Sequence, residues 1–386
     1  MPSLTLNTKS FDQSFIFYNF LKILHITNWY PNHINEYEAL WIQKHIKSLD
    51  NRCENFVIHF EILGENGFEV IKKKSNSLCQ TIIKLPFGSW LIKELTYFLF
   101  VFYIFIVKRT HKKYDIINFH VAYPMLTFWH WIQRWVKKPV VITEHWSAYH
   151  FNFGTKKKLP RIRRIFQQNI PVISVSNALS NDIKQFAQSN FPTYVVHNIV
   201  DEKIFYPDKN FKKENYFFAV SQWKPPKNPL VVMDAFLSSS ISDTYQLKIG
   251  GYGVLWNKMK NFVIENKAEN KIILLEELTS HEIAYHMKKC KAFLHPSDYE
   301  TFSVVCAEAV SCGAFVIAPN IGGLPEVIGS NGQLLDQWKK EDWMEALQRT
   351  SVSPPKSSKY INSFGRKKIG LQYYKILMHI SEEFRK

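Results

Sequence analysis

The 386-residue chain is poor in the residues that build disulfide or metal frameworks, and poor in acid. Its five cysteines (Cys53, Cys79, Cys290, Cys306 and Cys312) form no Cys-x-x-Cys pair and are odd in number. That argues against a disulfide scaffold or a zinc site and for a reducing compartment. The first 20 residues lack a basic segment leading to an apolar core and a cleavage site, so no signal peptide is expected. The most apolar run, "LTYFLFVFYIFIV" (95–107), has 13 residues, short of the ~20 that span a bilayer. It reads as a buried core helix or, given its flanking lysines and arginines, as a helix lying in a membrane interface. Walker, HExxH, GxSxG and Asp-x-Asp signatures are missing, so no metal is expected.

The shortage of acid leaves 49 Lys and Arg against 33 Asp and Glu, a formal net charge of +16. Residues 1–205 hold 25 of those bases and 14 of the acids, so the N-terminal half carries most of the excess. Its densest run, "KKKLPRIRR" (156–164), suits a solvated face, an anionic membrane surface or a phosphate-bearing substrate. No recognition motif supports nucleic acid.

What is present is a chain 46% hydrophobic and 15% aromatic, long enough for two domains. Strand-like runs alternate with helical spacing, which predicts parallel α/β layers. "LKILHIT" (21–27), "NFVIHF" (55–60), "YDIINFH" (114–120), "KPVVITEH" (138–145), "IPVISVS" (170–176) and "TYVVHNIVD" (193–201) form a first series. "YFFAVS" (216–221), "YQLKIGG" (245–251), "NKIILLE" (270–276), "CKAFLHPS" (290–297) and "AFVIAPN" (314–320) form a second. The expected organisation is an extension (1–20), a first domain (21–205), a second (206–368), and a C-terminal helix (369–386) packing back on the first. Ligands of open α/β sheets collect beyond the carboxyl ends of the strands.

One such end is "HPSDYETFSVVCAEAVSCG" (295–313). A helix is expected from Thr301 to Cys312, with Gly313 as its C′ residue. Glu300 then lies just before the helix and Glu308 two turns inside it, roughly 12 Å apart along the axis. That is long for an acid/base dyad, whose carboxylates lie about 5–10 Å apart. Two grips on one elongated ligand, with phosphates at the helix N-terminus, fit better. Glu308 is embedded among Val304, Val305, Ala307 and Ala309, where a charge needs a partner. Lys227 in "SQWKPPKNP" reads as a phosphate-binding cation or an exposed loop lysine. Glu144, His145, Asn118 and His120 end neighbouring strands of the first series.

These residues resemble a known family. The Glu300–Glu308 run is similar to the E-x7-E motif of retaining glycosyltransferases of family 4. "ISVSNALSNDI", "VVHNIVDEKIF", "KPPKNP", "LKIGGYG" and "GGLPEVI" follow in the family's order and approximate spacing. The resemblance implies the GT-B fold, two Rossmann-like domains facing a central cleft. It implies catalytic roles for Glu300 beside the donor sugar, His145 beside the reacting carbon, and Lys227 at the diphosphate. Glu308 would hold the nucleotide ribose, with the backbone of Thr301, Phe302 and Ser303 and the glycine turn at Gly251 beside the donor. The chain departs from the family by carrying Gln222 in place of the usual arginine, leaving Lys224 as the candidate second cation. The loop "TNWYPNHINEYEAL" also lacks the family's glycines.

The expected activity is therefore transfer of a sugar from a nucleotide-sugar donor to a glycan or lipid-linked acceptor in surface polysaccharide synthesis. No cofactor beyond the donor is expected. The expected location is cytoplasmic and peripheral, on the inner face of the membrane, with an anionic lipid surface as partner. Two other readings stand beside it. One is a sugar-nucleotide epimerase or soluble disaccharide-forming enzyme of the same fold. The other is a non-catalytic basic protein that binds membrane or nucleic acid.

Overall fold

The computed structural model describes residues 20–64, 67–86, 90–157, 159–336, 339–352 and 363–386. All of the expected N-terminal extension except residue 20 lies outside them, as does residue 158 of the basic run. The first sheet contains β1 (Leu21–Thr27), β2 (Cys53–Gly64), β3 (Glu69–Lys74), β4 (Leu78–Leu85), β5 (Ile116–His120), β6 (Val140–Glu144), β7 (Val172–Ser174) and β8 (Thr193–Val195). Its order is β3-β4-β2-β1-β5-β6-β7-β8. The second contains β9 (Tyr216–Gln222), β10 (Gln246–Tyr252), β11 (Ile272–Glu276), β12 (Phe293–Leu294), β13 (Val316–Pro319) and β14 (Gly332–Leu335). Its order is β11-β10-β9-β12-β13-β14.

Every pairing is parallel except β3 with β4. Central strands such as β5 "IINFH" are buried along their whole length, because helices cover both faces of a parallel sheet. The β3–β4 hairpin and β14 escaped the reading of the sequence. β3 is "EVIKKK", almost wholly exposed, an edge strand whose lysines hide its alternation and deter edge pairing.

The apolar run 95–107 lies in a helix, Trp90–Phe102, extended by a wider turn over Tyr103–Val107. Tyr97, Val101, Ile104 and Phe105 are buried, whereas Leu95, Leu99, Tyr103 and Val107 are exposed. The expectation of a buried core helix therefore holds for one face only. The C-terminal helix Arg366–Glu383 buries Ile369, Tyr373, Leu377 and Ile380 against Leu21, Ile23, Ile116 and Val141 of the first sheet. A side chain on Gly370 would lie 2.4 Å from the Ser48 carbonyl oxygen, so the helix Leu40–Ser48 and the C-terminal helix touch backbone to backbone there.

Candidate active site

β12 stops before His295-Pro296, and the chain crosses a loop before the helix Val304–Ser311 begins. The helix thus starts three residues later than its apolar spacing indicates, and Glu300 lies outside it. The 12 Å axial separation does not apply. The cause is tertiary. Ser303 sits in the left-handed region (φ 72°, ψ 87°), and Gly323 N–H donates to the Glu300 carbonyl at 2.8 Å. A Cβ on Gly322 would lie 2.2 Å from the Glu300 carbonyl oxygen, and one on Gly323 2.3 Å from that of Thr301. The glycine turn of "IGGLPEVI" thus presses on the loop and keeps it extended. Among the described residues no side chain caps the helix, which leaves its first-turn N–H groups without a side-chain acceptor. Gly313 ends the helix with φ +74°, the conformation that favours glycine there.

The Glu300 carboxylate is held by two groups. His295 donates Nε2–H to it at 2.8 Å, and the Lys227 ammonium forms an ion pair with it. Lys227 also donates to Ser297 Oγ at 3.2 Å. Burial alone would push the Glu300 carboxyl up, but the Lys227 charge and the His295 hydrogen bond outweigh it and hold the group at about 2. Burial lowers His295, keeping it neutral. The Lys227 loop is zipped to the Glu300 loop through Asn228 N–H to the Pro296 carbonyl and Asp298 N–H to that of Pro226, each 2.9 Å.

Glu308 is half-buried, and among the described residues nothing hydrogen-bonds its carboxylate. Burial raises it to about 7, with Lys44 pulling it down and Asp201 pushing it up. Phe302 is buried against His197 and Phe364, ring centroids 5.4 and 5.5 Å away, so its side chain belongs to the core. Gln222, the last residue of β9, and Lys224 just beyond it are exposed. Gly251 has φ +113°, and a Cβ there would lie 2.0 Å from the Ser221 carbonyl oxygen.

On the first sheet, β6 ends at Glu144. Its buried carboxylate accepts from the backbone N–H of Ala122, His145 and Trp146 at 2.9, 2.9 and 3.1 Å, and from Tyr149 Oη at 2.8 Å. Glu144 therefore fixes the turn that aims His145. The His145 ring is buried, and neither ring nitrogen has a partner among the described residues. Burial lowers it well below the usual histidine range, leaving a neutral imidazole. The His45 and His120 rings flank it at 5.4 and 6.2 Å, and His25 bonds His120 at 3.0 Å. Asn118 bonds Thr143 and Tyr373 inside the core and also reaches His120 at 3.4 Å. His25 and His45 were not singled out from sequence, since a lone histidine within a strand or helix carries no signal of its partners.

The two units meet at this point. Thr301 Oγ1 donates to the His145 carbonyl at 3.3 Å, so the Glu300 loop and the β6 end adjoin. Beside them Tyr299 bonds Asp182 and stacks on His150 at 3.7 Å. The Glu326 carboxylate crosses the seam to Asn177 and Ala178. These contacts were invisible in the sequence because their partners are 117 to 156 positions apart. Among the described residues no group of three or more His, Cys, Asp or Glu could hold a metal ion.

Comparison with known proteins accords with this architecture. The model of the family "Glycosyltransferase Family 4" matches residues 49–203, and that of "Glycosyl transferases group 1" matches residues 200–368. An uncharacterized glycosyltransferase of Methanocaldococcus jannaschii is 26% identical over 235 residues, 60% of this chain and 64% of the relative. The chain spans 59–64% of the length of the curated relatives it matches first. A lipopolysaccharide outer core galactosyltransferase superposes with a TM-score of 0.64 at 16% identity, covering 95% of this chain and all of the other. The Anabaena protein HepE in complex with UDP gives 0.62 at 17% identity, covering 95% and 98%. Both carry the GT-B fold. Between them the two models match residues 49–368, through both α/β units, and the chain belongs to glycosyltransferase family 4.

Proposed function

We propose that the protein transfers a hexosyl group from a nucleotide-sugar donor to a glycan or lipid-linked acceptor, with retained configuration and without a metal. The observation that carries this reading is the Thr301–His145 contact, which sets the Lys227–Glu300–His295 cluster against a neutral histidine of the other unit. Lys227 and the uncapped helix end stabilise the negative charge that grows on the departing diphosphate. Glu300, ionised, and His145, neutral, flank the donor sugar, and Lys224 is the second cation at the phosphates. The unpartnered carboxylate of Glu308 accepts the ribose hydroxyls, with the backbone of Thr301, Phe302 and Ser303, the Gly251 turn and Gln222 along the donor. The bond from anomeric carbon to diphosphate oxygen breaks as the acceptor hydroxyl oxygen bonds the same face, and the hydroxyl proton leaves with the diphosphate.

Two likenesses support the substrate classes: one neighbour of this fold holds UDP, and another acts on lipopolysaccharide. The reading places the protein on the inner face of a membrane as a peripheral enzyme of surface polysaccharide synthesis. A thermal-shift panel of nucleotide sugars tests it, since a ligand stabilises in proportion to its affinity and concentration. One donor should raise the melting temperature of the wild type, and Glu308→Ala should abolish the rise. If every nucleotide sugar leaves the wild type unmoved, the reading fails.

A further inference from the structure

The helix Trp90–Phe102 and its extension show an apolar stripe that is exposed among the described residues. Leu95, Leu99, Tyr103 and Val107 recur at four-residue spacing, and each is between 47% and 59% exposed. Beside them, Trp131 and Trp135 are about half exposed, at 51% and 50%. Phe98 packs edge-to-face on Phe128 at 5.4 Å and on Trp131 at 5.7 Å, which joins the helix and Trp131 into one surface, with Trp135 four residues further along. Isolated exposed apolar side chains need no explanation, but a contiguous patch marks an interaction site.

The charge around this patch has one sign. Residues 86–170 contain 14 Lys and Arg and three acids, Glu94, Asp115 and Glu144. Glu94 is buried and paired with Arg161, Glu144 is buried, and Asp115 is engaged by Arg385. Within this stretch, then, each acid is buried or paired with a cation. Arg134 lies over the Trp135 ring at 4.2 Å and Lys108 over the Tyr103 ring at 5.7 Å, so cations stand at the rim of the aromatic surface. Tryptophan, tyrosine and basic side chains around a leucine stripe match the polar boundary of a bilayer. Among the described residues no helix is long and apolar enough to cross a membrane, so the contact is with its surface.

We propose that this face docks on an anionic lipid bilayer. The buried side of the same helix leads toward the seam: burial and the Glu94 carboxylate raise the Tyr123 phenol, and the Tyr123 ring stacks on Trp146, next to His145. A lipid-linked acceptor lying in that bilayer would approach the His145 side. Only this last step rests on the reading of the active site. Lipid contact is measured without turnover, so either can fail alone.

The test is co-sedimentation of the full chain with vesicles of phosphatidylcholine, with and without a third of phosphatidylglycerol. Binding is expected only with phosphatidylglycerol and falls as salt rises. Leu99→Glu should weaken it about tenfold or more, and Arg134→Glu roughly fivefold or more. Ile264→Glu, on an exposed apolar position of the other unit, serves as the control and should bind like the wild type. Melting temperatures of all variants check that each folds. Absence of sedimentation, equal binding to phosphatidylcholine alone, or indifference to both patch variants overturns the proposal. So does a wild-type dimer in light scattering that Leu99→Glu dissociates, which would make a second copy the occupant.

Discussion

The Glu326 carboxylate accepts the backbone N–H of Asn177 at 2.9 Å with one oxygen and that of Ala178 at 2.9 Å with the other. Those are the first two donors of the helix Asn177–Ala187, whose next free donor, Leu179, is satisfied by Ser176 Oγ at 3.0 Å. A helix of the first unit is thus capped from the second. Removing such a cap costs about 1–2 kcal/mol. Glu326→Ala should lower the melting temperature accordingly and also weaken donor-dependent turnover, because the seam that seats Thr301 on His145 loosens. An unchanged melting temperature would show that the cross-seam cap does not hold in solution.

The Glu300 cluster makes stability depend on acid. The carboxyl is held at about 2, below the ~4.3 of an unfolded chain. An acid lowered on folding contributes stability that is complete above its unfolded value and lost as pH falls through its folded one. Glu300→Gln should cost roughly 3 kcal/mol near neutral pH, and the deficit should vanish as pH falls from about 5 to about 2. Denaturant unfolding of wild type and variant over that range measures it. A pH-independent deficit would place the cost in packing instead.

Glu308 has the opposite sign. Its carboxyl is raised to about 7, so the folded chain binds a proton that the unfolded chain has already released between about 4.3 and 7. Stability contributed by this group falls as pH rises through that window. Glu308→Gln should therefore be more stable than the wild type above pH of about 7, by roughly 2 kcal/mol. The same melting curves at about pH 5 should nearly coincide.

Gly322 has φ +56°, and a Cβ would meet the Glu300 carbonyl oxygen at 2.2 Å. Gly322→Ala should destabilise by about 2 kcal/mol or more and displace Glu300 from Lys227. Gly67→Ala, which meets nothing within 4 Å although its φ is +119°, isolates the backbone strain alone. The difference in donor affinity between the two variants, read by calorimetry, reports on the clash.

Gln222, ending β9, and Lys224, on the loop after it, are both exposed. If Lys224 supplies the second cation, Lys224→Ala weakens donor binding roughly fivefold, and Gln222→Arg in that background restores it. Equal affinities across the three proteins would leave Lys227 as the diphosphate's only cation on this loop.

By itself the sequence determined the α/β class and the two strand series. Their signals are local: buried parallel strands are apolar throughout, and polar breaks mark their ends. It also marked Glu300, Glu308, Lys227 and His145, because strand ends and a charge within an apolar helix stand out at short range. Tertiary structure decided the rest. Whether the helix after Glu300 starts at Thr301 or Val304 depends on a glycine turn that begins 22 residues after Glu300 and presses on its carbonyl. That His295 would serve Glu300 was not legible, since a histidine at a strand end looks alike whether or not it meets a carboxylate. The exposed half of the run 95–107 depended on what the fold laid against it, and the cap that Glu326 places on Asn177 spans 149 positions. Local chemistry sets which groups can act, and long-range packing sets which of them meet.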